Sequence, residues 1–134
     1  MAYRSKFEQR LAKDLRERGV KFTYEEYSYE YEEPLRKNRA SCKSCGSKDL
    51  VRQAWYTPDF FLSRYIIEAK GRFTAADRRK ILAVRECHKE LKDKLVMCFM
   101  RNNKIHKRSK VTYADWCEEH GVEYSIGEIK DEWL

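Results

Sequence analysis

The segment from Tyr56 to Gly71, which reads YTPDFFLSRYIIEAKG, contains two short apolar runs that each carry an acidic residue at one end. Short apolar runs bounded by proline and glycine are typical of buried β-strands. Asp59 opens the first run and Glu68 closes the second, so a hairpin through Ser63-Arg64 would bring both carboxylates to the same end. Lys70 follows Glu68 by two residues and would share its face of the strand. The segment therefore predicts two carboxylates and an ammonium group around one point.

These residue types suit a metal-dependent reaction on a phosphate group. Carboxylate oxygens are ligands that Mg²⁺ and Mn²⁺ prefer. A lysine beside the metal can orient or deprotonate an attacking water, or stabilise the charge that develops on phosphate. The pattern Pro58-Asp59-x8-Glu68-x-Lys70 resembles the PD-(D/E)xK nuclease superfamily. A strand with solvated edge charges is the simpler interpretation, and it accounts for an isolated acid-x-Lys better than for the whole pattern.

The composition is that of a basic, globular chain. The 134 residues are 42% hydrophobic and 38% charged, with a formal net charge of +7. This length is usual for one domain, and the positive charge favours an acidic polymer such as nucleic acid as the partner. No apolar run has the length that spans a bilayer, and no signal-peptide core is visible, so we expect a cytosolic protein without membrane association. Five cysteines, an odd number, do not indicate a secreted disulfide framework.

The pattern of caps and apolar residues predicts three helices, at residues 5–18, 74–91 and 112–120. Strands are predicted at residues 20–24, 27–31, 94–100 and 122–124, of which 94–100 is the candidate for a buried central strand. Glu8 lies in the first turn of the first helix, where capping is its simplest role. In the second helix, the residues expected to face outward are Arg78, Arg79, Lys80 and Arg85. Trp133 is the expected anchor of the C-terminal tail.

Two groups of basic residues are candidates for contact with a nucleic-acid backbone. They are Arg72, Arg78, Arg79 and Lys80 around the start of the second helix, and Arg101, Lys104, Lys107, Arg108 and Lys110 after the central strand. A solvated surface is the alternative interpretation of each group.

Residues 32–53 have a different character, since they are rich in basic residues and lack apolar periodicity. They contain Cys42-Lys43-Ser44-Cys45-Gly46, which has the spacing of half a structural zinc site. Two chains could each supply one cysteine pair, or ligands of the same chain could complete the site. The pair could also be a free dithiol. Candidate ligands in the same chain are Cys87, His88, Cys98, His106, Cys117 and His120.

Beyond the nuclease motif, most of the chain resembles the endonuclease I family of T-odd coliphages, which are Holliday-junction resolvases. The matching blocks are Tyr3 to Glu8, Gly19 to Glu26, Tyr56 to Phe60, Glu68 to Gly71, Asp77 to Lys80 with Arg85-Glu86, and Tyr113 to Gly121. The resemblance implies catalytic roles for Glu8, Asp59, Glu68 and Lys70. It implies that Asp59, Glu68 and the carbonyl of Ala69 hold one Mg²⁺ and that Glu8 helps to hold a second. A further family acid falls on Thr23, so either it is dispensable or Glu25 replaces it.

The resemblance also implies an α/β fold, with a restriction-endonuclease-like mixed sheet flanked by helices. We expect a single nuclease domain over residues 1–134, in which 32–53 form a bridge or insert that carries the C-x-x-C motif. The implied assembly is a domain-swapped homodimer, with zinc at or near its crossover. The implied activity is Mg²⁺-dependent resolution of branched DNA by a phage protein in the host cytoplasm.

Three other functions remain open at this point. The same fold could cut plain duplex DNA. A zinc-bearing module could bind nucleic acid without cutting it, although paired carboxylates would then repel phosphate. A redox role for Cys42 and Cys45 is weaker, because the strand-then-helix setting of such dithiols is missing.

Overall fold

A five-stranded mixed sheet forms the centre of the protein in a computed structural model that describes residues 3–34 and 51–134. The helices and strands in chain order are α1 (Lys6–Glu17), β1 (Thr23–Tyr24), β2 (Tyr29–Pro34), β3 (Val51–Tyr56), β4 (Phe60–Phe61), β5 (Ile66–Lys70), α2 (Ala75–Cys87), α3 (Leu91–Lys94), β6 (Leu95–Phe99), α4 (Tyr113–His120) and β7 (Tyr124–Ile126), followed by a 3-10 turn (Asp131–Trp133). In these two ranges, no helix is both long and apolar enough to cross a bilayer.

The sheet has the strand order β1-β4-β5-β6-β7. The first three strands are antiparallel, with Tyr24 opposite Phe60 and Phe60 opposite Ile67. Strands β5, β6 and β7 are parallel, because α2 and α4 carry the chain back across the sheet between them. The predicted hairpin through residues 63–64 is confirmed as the β4–β5 pair. The predicted central strand is confirmed as β6, in which every residue is buried.

Helices cover both faces of the sheet, as the alternation of its buried residues requires. On one face, Phe7, Leu11 and Leu15 of α1 join Ile67, Val96 and Trp133 in one apolar cluster. On the other face, Ile81 and Val84 of α2 join Leu95, Phe99 and Trp116. The mixed sheet flanked by helices is therefore confirmed, and so is Trp133 as a buried anchor.

The three predicted helices are confirmed with shifted ends. The helix expected to reach residue 91 ends at Cys87, and a separate turn, α3, begins at Leu91. Strand β1 covers only Thr23–Tyr24 of the predicted 20–24, and β7 begins at Tyr124 and continues to Ile126. Each difference lies at an element boundary, where local propensity is weak compared with tertiary packing.

Arg85 corrects one expectation from helical periodicity, since it is buried rather than facing outward. Its guanidinium group donates hydrogen bonds of 3.2 Å to the carbonyl oxygens of His120 and Gly121. These carbonyls lie at the C-terminal end of α4, where helix carbonyls lack partners within the helix and the helix dipole favours a cation. The positive charge of Arg85 therefore joins two helices inside the protein.

Strands β2 and β3 form a separate antiparallel ribbon, paired from Tyr29 opposite Tyr56 to Pro34 opposite Val51. Residues 32–34 and 51–53, expected to belong to the bridge, are part of this ribbon. Tyr31 and Tyr56 face the core and are buried, whereas Tyr27 is exposed. Cys42 and Cys45 lie outside the described residues, so the zinc site stays a prediction.

Candidate active site

Three carboxylates come together where the antiparallel strands end. Extending the β4–β5 pairing by one residue places Asp59 opposite Glu68, and extending the β1–β4 pairing places Glu25 opposite Asp59. Residues directly opposite each other in antiparallel strands point to the same face. The pairing register therefore places Asp59 and Glu68 side by side on one face, and it brings the backbone of Glu25 next to Asp59.

Two backbone amides fix the position of Asp59. The Ala69 N–H donates to Asp59 Oδ2 at 2.8 Å, and the Glu25 N–H donates to the Asp59 carbonyl oxygen at 2.8 Å. Asp59 is buried, with 7% of its surface exposed. A buried carboxylate needs hydrogen bonds of this kind to offset its lost hydration.

Glu8 enters the same site from α1. The Ser5 hydroxyl caps this helix by accepting from the Glu8 N–H at 3.1 Å. The Glu8 carboxylate accepts from the Ser5 hydroxyl at 3.0 Å and from the Tyr24 hydroxyl at 2.5 Å. Glu8 thus belongs to the helix cap through its backbone and to the acidic cluster through its carboxylate.

Glu25, which the sequence suggests only as a possible replacement for the family acid at Thr23, lies in the same cluster. Carboxylate oxygens of Glu8, Glu25 and Asp59 all lie within 4.8 Å of one another. Glu25 has a φ of 51°, the left-handed conformation that non-glycine residues rarely adopt, and Arg4 Nε lies 2.9 Å from its Oε1. Thr23 is exposed, and its hydroxyl donates to Glu26 Oε2 at 2.6 Å. The cluster therefore contains Glu25 and not the Thr23 side chain.

Glu68 and Lys70 project from the same face of β5, as their spacing predicts. Lys70 Nζ lies 3.4 Å from Glu68 Oε2 and 3.4 Å from Asp77 Oδ1. Asp77 is also the capping-box residue of α2, so the start of that helix fixes one partner of the lysine. The buried Tyr56 hydroxyl donates to Glu68 Oε1 at 2.8 Å. Each Glu68 oxygen thus has one partner.

All four predicted catalytic residues, Glu8, Asp59, Glu68 and Lys70, line one cleft of about 260 Å³. The other lining residues are Arg4, Trp55, Tyr56, Thr57, Ala69 and Lys80. Only Lys80 of the predicted DNA-binding residues reaches this cleft. Arg78 donates to the Phe73 carbonyl oxygen at 2.7 Å, and the remaining candidates are exposed: Arg72, Arg79, Arg101, Lys104, Lys107, Arg108 and Lys110.

The pKa shifts show how strongly the acids interact. Burial, together with the negative charge of Glu68, raises the pKa of Asp59 to about 8. Burial also raises the pKa of Glu68, although Lys70 opposes this shift. For Lys70, burial alone would lower the pKa, but the charges of Glu68 and Asp77 outweigh it and the pKa rises. Without a bound cation, the site therefore favours the protonated form of its buried acids and the charged form of its lysine.

A larger cavity of about 900 Å³ lies elsewhere, between α1, α4 and the C-terminal tail. Its charged groups are engaged with one another, since Arg18 pairs with Asp131 at 2.9 Å and Lys130 with Glu132 at 3.7 Å. In the part of the chain that the structure describes, no buried carboxylate lines this larger cavity. The smaller cleft, which contains buried acids beside a lysine, is therefore the candidate active site.

Comparison with known proteins gives the family. The profile of the family described as phage endonuclease I matches residues 49–134. The chain is 34% identical over 134 residues to Endonuclease I of Escherichia phage T7, covering 99% of this chain and 78% of that relative. It is 38% identical over 122 residues to Endodeoxyribonuclease 1 of Enterobacteria phage T3, covering 90% of this chain and 69% of that relative. Both relatives are bacteriophage nucleases by name. The chain belongs to the phage endonuclease I family.

The raised pKa of Asp59 predicts that this residue destabilises the metal-free protein at neutral and higher pH. The folded state holds the Asp59 proton up to about pH 8 while the unfolded chain releases it near pH 3.8, so the destabilisation grows as pH rises between these values. Asp59→Asn should therefore increase the free energy of unfolding by on the order of 2 kcal/mol at pH 8, with a smaller increase at pH 5.

Urea unfolding in EDTA at both pH values measures this difference. The control is Asp93→Asn, which removes an exposed acid of α3 and should change stability little at either pH. A loss of stability in Asp59→Asn, or a gain that does not grow with pH, would contradict the prediction.

Proposed function

We propose that this protein is a metal-dependent DNA endonuclease that resolves four-way junctions and other branched DNA. The observation that carries the proposal is the cleft in which Asp59, Glu68 and Lys70 meet Glu8, in a basic chain of the phage endonuclease I family. The preference for branched DNA follows the resemblance to junction resolvases. The proposed place of action is the cytoplasm of an infected host cell.

The donor set of the cleft fits a small divalent cation. Mg²⁺ and Mn²⁺ prefer carboxylate and carbonyl oxygens, and carboxylate oxygens of Glu8, Glu25 and Asp59 lie within 4.8 Å of one another, which suits ligation of one ion. In the proposal, Asp59, Glu68 and the Ala69 carbonyl hold one ion, and Glu8 with Glu25 and Asp59 hold a second. Bound there, the ions would polarise the phosphate and stabilise the leaving 3′ oxygen, leaving a 5′-phosphate.

Lys70 has the role of orienting the attacking water. Two carboxylates at 3.4 Å favour the ammonium form of its side chain, and an ammonium group donates hydrogen bonds but cannot accept a proton. Asp77 holds this ammonium from the helix side and Glu68 from the strand side. Tyr56 keeps the second Glu68 oxygen in place, so the orientation of the lysine does not depend on the substrate.

Metal-dependent cleavage is the first test. A labelled four-way junction and a linear duplex of matched sequence are incubated with wild type and Asp59→Asn, in Mg²⁺ and in EDTA. Wild type should cut the junction only with Mg²⁺, and Asp59→Asn should reduce the rate by at least roughly a hundredfold because a ligand of the reacting centre is lost.

The outcomes distinguish the alternative functions. Asp93→Asn should cut as wild type does, which controls for a general effect of charge. Equal cutting of both substrates would indicate a duplex-cutting nuclease of the same fold. Binding without cutting, unchanged in Asp59→Asn, would indicate a module that binds nucleic acid without catalysis.

Glu25 should contribute to cleavage in place of the family acid that Thr23 replaces. We expect Glu25→Gln to lower the cleavage rate by roughly tenfold to a hundredfold at limiting Mg²⁺, with partial recovery at high Mg²⁺, because a weakened ligand is compensated by mass action. Cleavage rates measured over a Mg²⁺ titration test this.

The neighbouring residue provides a matched control. Glu26→Gln removes the same charge one residue away, from an exposed side chain outside the cluster, and should have little effect. Thr23→Ala should also cut normally. Equal losses in the Glu25 and Glu26 variants would mean that overall charge, not metal ligation, determines the rate.

The proposal has two further parts. We infer a restriction-endonuclease-like fold in a domain-swapped homodimer, and we infer that zinc is bound through Cys42 and Cys45. Burial raises the pKa of the Cys98 thiol to about 11 and that of Cys117 to about 12, which disfavours both as thiolate ligands. Cys87, which is exposed, and the three histidines remain as candidates from the same chain, and a Cys₄ site shared by two chains is the form that the implied dimer favours. Metal analysis should find one zinc per two chains, and sedimentation should give a dimer.

The variant Cys42→Ser with Cys45→Ser is expected to lose the zinc. One zinc per chain would instead indicate ligands from the same chain. Purified protein without zinc would leave the cysteine pair as a free dithiol and remove this part of the proposal.

A further inference from the structure

Trp55 is a large apolar side chain that stays exposed at the edge of the active-site cleft. Its surface is 63% exposed, although it lines the same cleft as Asp59, Glu68 and Lys70. The other two tryptophans, Trp116 and Trp133, are buried. Tryptophan is largely buried on average, so an indole exposed beside the proposed catalytic carboxylates is a candidate contact for a ligand.

The strand geometry explains why Trp55 faces outward. Successive residues of β3 point to opposite faces of the ribbon. Tyr56 uses the inner face to reach Glu68, so its neighbour Trp55 must use the outer face. Among the described residues, no aromatic ring stacks on the Trp55 indole, and Glu30 opposite it in β2 is itself exposed. The face of the indole ring is therefore open to a ligand.

We propose that Trp55 stacks on an unstacked nucleobase beside the scissile phosphate and thereby favours branched DNA over continuous duplex. This inference rests on the proposed nuclease function. In a continuous duplex both faces of every base pair are covered by its neighbours, so an indole finds no free base to contact. A branch point exposes a base or a terminal base pair, on which aromatic side chains stack without reading sequence.

The charges around Trp55 fit a nucleotide. The basic residues Arg4, Lys70 and Lys80 line the cleft with it. Arg4 and Lys70 are paired with Glu25 and Glu68, whereas Lys80 forms no ion pair with a described residue and is the cation that can attract a phosphate. A base on Trp55 would place its own phosphate among these cations, close to Asp59. An apolar protein surface docked on the same indole would instead remove water from these charged side chains without pairing them. Charge complementarity thus favours a nucleic acid as the occupant.

Binding to uncut DNA tests the proposal directly. All proteins carry Asp59→Asn so that the DNA stays intact, and anisotropy gives Kd for a four-way junction and for a duplex of matched sequence. Trp55→Ala should weaken junction binding by roughly tenfold, as expected for loss of one base–aromatic stack, and should change duplex binding less than twofold. Trp55→Phe keeps a stacking ring and should retain most of the junction affinity.

Tyr27→Ala is the matched control, because Tyr27 is a similarly exposed aromatic residue, 59% accessible, that does not line the cleft. It should leave both Kd values unchanged. Fluorescence adds an independent measurement, since Trp116 and Trp133 are buried and quenching by DNA reports mainly on Trp55. The junction should quench the parent protein strongly, whereas Trp55→Phe should show little quenching.

Two results would overturn the proposal. Trp55→Ala could leave the ratio of junction to duplex affinity unchanged, either by changing neither Kd or by weakening both equally. It could also shift the sedimentation of the free protein toward the monomer, which would mean that a second copy of the chain covers Trp55.

The nuclease function is tested separately, with Mg²⁺ and Asp59 intact. A wild type that cuts no DNA would refute the proposed function itself. If wild type cuts junctions and the Trp55 variants distinguish junction from duplex as well as wild type does, only the proposed role of Trp55 would be refuted.

Discussion

The antiparallel register of β1, β4 and β5 is the constraint on which the candidate active site depends. Phe60 lies opposite both Tyr24 and Ile67, and Phe60 and Ile67 are fully buried, so the core fixes this alignment. A shift by one residue would turn every side chain of a strand to the other face. Asp59 precedes Phe60 and Glu68 follows Ile67, so the packing of these two core residues also aligns the two acids.

The packing that aligns the acids also works against their ionisation. Burial, together with repulsion from the nearby Glu68 carboxylate, raises the pKa of Asp59 to about 8. The protein offsets part of this with the Ala69 amide, the hydroxyls of Tyr24 and Tyr56, and the Lys70 ammonium. Apart from Lys70 these groups are neutral donors. They orient the carboxylates without neutralising them, which leaves the remaining charge available for a cation.

Much of this arrangement could be predicted from the sequence because it is local. The hairpin, the face shared by Glu68 and Lys70, and the three helices follow from spacing within short segments. Glu25 was harder to assign, because its carboxylate reaches the cluster through a left-handed backbone conformation and a pairing to Asp59, which is distant in sequence. Arg85 was misassigned for a related reason, since its partners are carbonyls of a helix thirty-five residues away. The periodicity of apolar residues within one helix does not show which other helix or strand it packs against.

Strand β3 carries both a buried residue of the cleft, Tyr56, and an exposed residue at its edge, Trp55. Alternation along the strand directs Tyr56 inward to Glu68 and Trp55 outward, and the chain then continues through Thr57 and Pro58 to Asp59. The positions of the two side chains are therefore coupled, since a displacement of β3 that moved the Trp55 indole would also move the Tyr56 hydroxyl that donates to Glu68. In the proposed reaction, a base stacked on the outer face of β3 would act on the strand that holds the inner site in place. Recognition of a branch and alignment of the reacting centre would then depend on one short strand.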